Sequence, residues 1–74
     1  MKDEIIELLK QIKPGVDYAN QESLIGDGIL ESFDLVTLIS LLNNKFNIYI
    51  SVSDLLPENF ETVEAIEELV NRLK

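Results

Sequence analysis

The sequence has no histidine, no cysteine and no tryptophan, and only six of its 74 residues are lysine or arginine. Without histidine or cysteine it lacks the usual neutral-pH general base, and it cannot form a disulfide or a cysteine-ligated zinc site. Fourteen acidic residues give a formal net charge of −8, whereas nucleic-acid binding needs a basic surface. We therefore expect neither an enzyme nor a nucleic-acid-binding protein.

Long apolar runs are also absent, since none approaches the roughly 20 residues that cross a bilayer. The chain opens with Met1-Lys2-Asp3-Glu4, which turns quickly into an acidic helix rather than forming a basic stretch followed by an apolar signal core. Its hydrophobic fraction of 46% is ordinary for a folded domain and too high for a disordered acidic tail. We expect one domain over residues 1–74, cytoplasmic and monomeric, with no membrane insertion and with basic partner surfaces favoured by its charge.

Three segments show the apolar periodicity of amphipathic helices: residues 3–12, 33–46 and 63–73. The middle segment has the strongest pattern, and its expected buried face consists of Leu35, Leu38, Ile39, Leu42 and Phe46. Ser32 and Thr62 directly precede the second and third segments. Because serine and threonine are preferred N-caps, we expect both to cap these helices.

The connections lack this periodicity. Residues 13–31 contain two glycines close together and are predicted to be a long ordered loop. Residues 46–52 alternate like a strand but have no partner strand, so we predict an extended connector. Residues 53–56 are predicted to form a short helical turn that ends at Pro57. The fold class is therefore all-α, a small bundle of three main helices plus one short helix.

The acidic residues do not form a recognisable metal or catalytic motif. With Glu31 at position 12 of a calcium loop, Leu24 and Ile25 would occupy positions 5 and 6, which require an oxygen ligand and glycine. The lone Gly26-Asp27-Gly28 lacks the strand and third glycine of a dinucleotide-binding turn. Fourteen acids form many carboxylate pairs by chance, so a solvated surface is favoured. We predict no metal site and no catalytic residue.

Ser32 joins the glycine-bearing loop to the strongest helix. A serine in this place is exposed and held by a rigid element, and the helix N-terminus can stabilise a phosphate attached to it. Cap chemistry alone favours the simpler interpretation, in which Ser32 only caps the helix.

The element order and Glu31-Ser32-Phe33 at the head of the second helix resemble the acyl carrier protein family, whose attachment motif is Asp-Ser-Leu or a variant. Residues 28–33 are more similar to D-alanyl and related aminoacyl carriers than to fatty-acid carriers. Residues 57–66 resemble the closing segment of stand-alone carriers. The resemblance implies that a phosphopantetheinyl transferase uses coenzyme A to attach 4′-phosphopantetheine to Ser32.

The same resemblance implies a non-catalytic carrier that holds an acyl or aminoacyl group as a thioester on that arm. An adenylation enzyme or an acyltransferase would load it, and the cargo is left open between D-alanine, another amino acid and a fatty or polyketide acyl group.

The chain departs from the family pattern at two places, and both bear on partner recognition. Glu31 replaces the usual aspartate, and Asp34 is the only acid in the second helix, where fatty-acid carriers display an acidic face. Phe33 and Val36 either form an apolar docking patch beside the serine or tuck against the loop. We predict that Glu31, Phe33, Asp34 and Val36 contact partner enzymes.

A second hypothesis comes from the acidic composition. The chain would be a small acidic helical adaptor that binds a basic or amphipathic partner through Glu64, Glu67 and Glu68, without a prosthetic group. Charge reversal on that face would then abolish binding, whereas Ser32→Ala would preserve it.

Overall fold

The computed structural model describes residues 1–74, and its regular structure is entirely helical, as the sequence predicts. Helix α1 spans Lys2–Ile12, α2 spans Ser32–Phe46 and α3 spans Val63–Leu73. These bounds confirm the three predicted helices to within one residue. None of the helices has the length and hydropathy that a membrane crossing requires.

Short 3₁₀ turns interrupt the connections at Tyr18–Asn20, Val52–Asp54 and Pro57–Asn59. The predicted short helix over residues 53–56 is therefore a single turn, placed one residue earlier and ended before Leu55. Pro57 begins a further turn, as its fixed φ allows at a first helical position. One predicted short helix is thus replaced by two separate turns between α2 and α3.

Helices α1 and α2 run antiparallel, and ion pairs mark both ends of their contact. At one end, Lys13 Nζ, just beyond α1, lies 3.6 Å from Asp34 Oδ2 in the first turn of α2. At the other end, Lys45 Nζ in the last turn of α2 lies 3.7 Å from Glu4 Oε2. Helix α3 also packs against α1, so α1 supports both of the other helices.

The core is one cluster of fourteen buried residues, all of them apolar or aromatic. Every helix contributes, and so do both connections: the long first loop supplies Tyr18, Leu24 and Leu30, and the connector before α3 supplies Ile50 and Phe60. The first loop is therefore ordered by burial rather than by regular structure, as its scattered apolar residues predict.

Helix α2 buries less of its apolar face than predicted. Leu38 and Leu42 are fully buried, whereas Leu35, Ile39 and Phe46 are only partly buried, packed at the margin of the core. The reason lies in the arrangement of the helices, since α2 packs mainly on α1 and makes little contact with α3. Fewer residues of its apolar stripe are therefore covered.

The N-cap prediction for α3 is confirmed. Thr62 has extended backbone angles, and its Oγ1 accepts a hydrogen bond from the amide of Ala65 at 3.0 Å. This bond satisfies one of the amides that lack an acceptor in the first turn of a helix.

Candidate functional site

Ser32 is the first residue of α2 and is exposed to solvent. The prediction that it caps α2 is wrong, because Glu31 occupies the N-cap position with extended backbone angles. The Asp34 carboxylate accepts a hydrogen bond from the Glu31 amide at 3.1 Å, which fixes the start of the helix without using Ser32. The Ser32 hydroxyl makes no hydrogen bond within the protein.

The residues that follow Ser32 present an apolar surface. Phe33 is 89% exposed and Val36 is 67% exposed, so of the two alternatives the structure favours side chains that face solvent over side chains that tuck against the loop. Asp34 is half-buried and is the only acid in α2. The exposed surface of α2 that follows Ser32 is therefore mainly apolar, whereas Glu31, just before Ser32, is an exposed acid.

A shallow groove of about 540 Å³ runs between the first loop and the first turn of α2. It is lined by Ile25, Gly28, Leu30, Glu31, Ser32, Phe33 and Leu35. A second depression, of about 410 Å³, lies between α1 and residues 16–19 and includes no residue near Ser32. Of the two depressions, only the groove is lined by Ser32.

The groove wall is held in place by Glu61, which lies in the connection before α3. Its carboxylate accepts hydrogen bonds from the amides of Ile25 at 2.8 Å and Gly26 at 3.2 Å. Its carbonyl accepts from the amide of Leu24 at 2.9 Å. A Cβ on Gly26 would lie 2.2 Å from Ser23 Oγ, so the close approach of these residues requires glycine or a moved serine. No sequence pattern indicated Glu61, because its contacts are distant along the chain.

Lys13 makes a similar connection to the segment that contains Ser32. Its Nζ donates a hydrogen bond to the carbonyl of Ile29 at 2.8 Å and lies 3.6 Å from Asp34 Oδ2 and 3.8 Å from Glu31 Oε2. The sequence predicted only the end of a helix at this position. The ion pairs with Glu31 and Asp34 offset part of the negative charge that flanks Ser32.

The buried Tyr18 forms a hydrogen bond to the backbone of Lys13. Its hydroxyl donates to the carbonyl of Lys13 and, more weakly, to that of Leu9 at 3.3 Å. Burial raises the pKa of the Tyr18 phenol above its ordinary value, and the Asp34 carboxylate raises it further. Tyr18 therefore remains a neutral hydrogen-bond donor at physiological pH.

The site presents Ser32 without activating it. The hydroxyl makes no hydrogen bond to a carboxylate, the contact by which an acidic side chain would activate it. What the geometry provides is an accessible serine oxygen at a helix N-terminus, where the first backbone amides lack intrahelical acceptors and can interact with an anion. This arrangement suits a serine that another protein modifies.

A small helical bundle that presents one serine at the head of its second helix has the architecture of a carrier protein. Two curated relatives have names of that class. Aminoacyl carrier protein 1 of Bradyrhizobium diazoefficiens is 34% identical over 74 residues, covering 95% of this chain and 81% of the relative. D-alanyl carrier protein of Streptococcus sanguinis is 32% identical over 75 residues, covering 100% of this chain and 95% of the relative.

The chain therefore belongs to the acyl carrier protein family and is similar to its aminoacyl and D-alanyl carriers. No family model and no solved structure matches the chain.

Proposed function

We propose that the chain is a non-catalytic carrier, a single domain over residues 1–74 whose Ser32 bears 4′-phosphopantetheine. The observation that carries the proposal is the exposed Ser32 hydroxyl, which has no hydrogen-bond partner and no capping role in α2. The relatives named as aminoacyl and D-alanyl carriers support an aminoacyl cargo in preference to a fatty-acyl one. The single acid in α2 supports the same choice.

The residues at the head of α2 fit the proposed group. Ser32 offers its oxygen, amides of the first helical turn could interact with an attached phosphate, and the groove of about 540 Å³ leaves room beside the serine. When bound, the group supplies a terminal thiol that holds the cargo as a thioester, a function that the cysteine-free chain cannot supply itself.

Attachment forms a bond between Ser32 Oγ and the phosphorus of coenzyme A that bears the pantetheine. The bond from that phosphorus to adenosine 3′,5′-bisphosphate breaks, and the serine proton leaves. Because Ser32 has no base of its own, a phosphopantetheinyl transferase must supply the group that accepts this proton.

Partner enzymes would contact the residues around Ser32. Phe33 and Val36 offer apolar contact area, and Glu31 and Asp34 give the surface its limited charge. The partners are the transferase and an adenylation enzyme or acyltransferase that loads the cargo. The proposal includes a monomer, since nothing in the carrier role requires a second copy. It also includes a cytoplasmic location.

Intact-mass measurement tests the proposal. The purified chain, incubated with coenzyme A and a broad-specificity transferase, should gain one phosphopantetheine, and Ser32→Ala should gain none. Ser40→Ala is the matched control, because Ser40 is also exposed on α2, and it should be modified like the wild type. Melting temperatures should barely differ between Ser32→Ala and the wild type, since the hydroxyl makes no hydrogen bond.

Two outcomes would contradict the proposal: a wild-type chain that several transferases leave unmodified, or a Ser32→Ala chain that still gains the mass. The first outcome would favour the acidic adaptor, whose binding should depend on Glu64, Glu67 and Glu68 instead.

A further inference from the structure

Lys13 differs from the other basic residues in what it contacts. It is the only one of the six that pairs with acids flanking Ser32. The others lie near Glu64, Glu7, Glu4, Asn59 or the ring of Phe46. The one basic side chain paired with the acids on either side of Ser32 therefore comes from the end of α1.

The contacts of Lys13 fall on both sides of Ser32. Its ammonium donates to the carbonyl of Ile29 at 2.8 Å and lies 3.8 Å from Glu31 Oε2 and 3.6 Å from Asp34 Oδ2. The same Asp34 oxygen accepts from the Glu31 amide at 3.1 Å. One side chain thus connects three points of the segment 29–34, with Ser32 between them.

Lys13 is itself firmly anchored. Its amide donates to the carbonyl of Leu9 at 2.9 Å, which closes the last turn of α1. Its carbonyl accepts the hydroxyl proton of the buried Tyr18. Lys13 therefore adds a link between the core and the segment around Ser32, beside the one that the buried side chain of Leu30 provides.

We propose that Lys13 is a positioning residue that holds the segment 29–34 in the conformation a transferase binds. This inference rests on the proposed function and deepens it. Without the ammonium, the Ile29 carbonyl loses its donor and the carboxylates of Glu31 and Asp34 lose their shared counterion. The segment then spends a smaller fraction of its time in the binding conformation. The apparent affinity of the transferase for the carrier falls in proportion to that fraction.

The test compares Lys13→Met, which keeps an apolar chain and removes the charge, with Lys13→Arg, which keeps a cation. Lys10→Met is the matched control, because Lys10 lies on α1 and pairs only with Glu7, at 3.7 Å. Initial rates of phosphopantetheine transfer are measured by intact mass over a range of carrier concentrations. Melting temperatures show that each variant is folded.

For Lys13→Met we expect the KM for the carrier to rise about tenfold while kcat changes less than about twofold. Lys13→Arg should recover most of the loss, and Lys10→Met should match the wild type. A Lys13→Met KM equal to that of the wild type would overturn the inference. So would an equal loss in Lys10→Met, or a loss confined to kcat.

Amide hydrogen exchange provides a readout that needs no transferase. The Leu30 amide donates to the carbonyl of Leu24 at 2.9 Å, and it should exchange faster in Lys13→Met than in Lys10→Met. Unchanged exchange would overturn the inference even if the function proposed for Ser32 stands. If the wild type accepts no phosphopantetheine but the Leu30 amide still exchanges faster in Lys13→Met, the proposed function is refuted. The structural role of the Lys13 contacts then still stands.

Discussion

Helix α3 buries its apolar residues, whereas the head of α2 exposes them to solvent. Four of the eleven residues of α3 are buried, whereas only two of the fifteen in α2 are buried. At the head of α2, Phe33 and Val36 face solvent beside Ser32. A helix whose apolar residues are covered stabilises the fold, whereas a helix that leaves them exposed beside an accessible serine has apolar surface available for contact.

Charge follows the same division. Helix α3 carries Glu64, Glu67 and Glu68, and the pKa of Glu64 is lowered by a backbone hydrogen bond and by Lys2. The single acid of α2, Asp34, is paired with Lys13. Under the proposed function, long-range attraction to a basic partner would come mainly from acids outside α2, those of α3 among them, while the contact around Ser32 would be mainly apolar.

The largest expected effect on stability belongs to α3. Leu69 is fully buried, so Leu69→Ala should lower the free energy of unfolding by about 2–5 kcal/mol, because it leaves a cavity in the core. Val36→Ala, the matched truncation of an exposed residue in α2, should change it by less than about 0.5 kcal/mol. Denaturant unfolding measures both values, and similar losses would show that the two helices do not differ in this way.

The fold was largely predictable from the sequence because burial imposes a period on the apolar residues. The α3 stripe and the Thr62 cap were both predicted from local pattern. The depth of burial of Leu35 and Phe46 was not, because it depends on how much of α2 the other helices cover. The two 3₁₀ turns before α3 were too short to leave a period.

Phe33 tests the other side of the comparison. Under the proposed function, Phe33→Ser should reduce kcat/KM for phosphopantetheine transfer or cargo loading roughly tenfold, since exposed aromatics are frequent interface anchors. Its melting temperature should match the wild type because the ring is 89% exposed. The loss should persist at high salt, whereas any loss from Glu68→Lys on α3 should shrink as salt screens charge. Equal salt dependence of the two losses would contradict the assignment of apolar contact to α2.

The candidate site was only partly predictable. Ser32 and its exposed neighbours are adjacent in the sequence, so a short motif could indicate them. Lys13 and Glu61 act through contacts 16 or more residues away along the chain, and such contacts leave no local pattern. The capping role of Ser32 was mispredicted as well. Glu31 is the N-cap residue, and its amide donates to the carboxylate of Asp34.

The smallest expected effect concerns how the head of α2 is tied to the core through Tyr18. Burial, and then Asp34, raises the pKa of Tyr18 in the folded chain, so the folded state holds the phenol proton more tightly than the unfolded state. The contribution of this proton to stability is complete below the ordinary tyrosine pKa of about 10. It is lost as the pH rises through the pKa of Tyr18 in the folded chain.

Tyr18→Phe should therefore lower stability by about 1 kcal/mol at neutral pH, where the hydrogen bond to the Lys13 carbonyl is lost. The stability of Tyr18→Phe should also decline less steeply than that of the wild type when denaturation midpoints are followed from about pH 7 to about pH 11. Tyr49→Phe is the control, because Tyr49 is exposed and its removal should leave the wild-type curve unchanged. Parallel curves for Tyr18→Phe and the wild type would mean that the buried hydroxyl does not stabilise the anchor of Lys13. The head of α2 would then be tied to α1 by the side-chain contacts of Lys13 with Ile29, Glu31 and Asp34, without support from the Tyr18 hydroxyl.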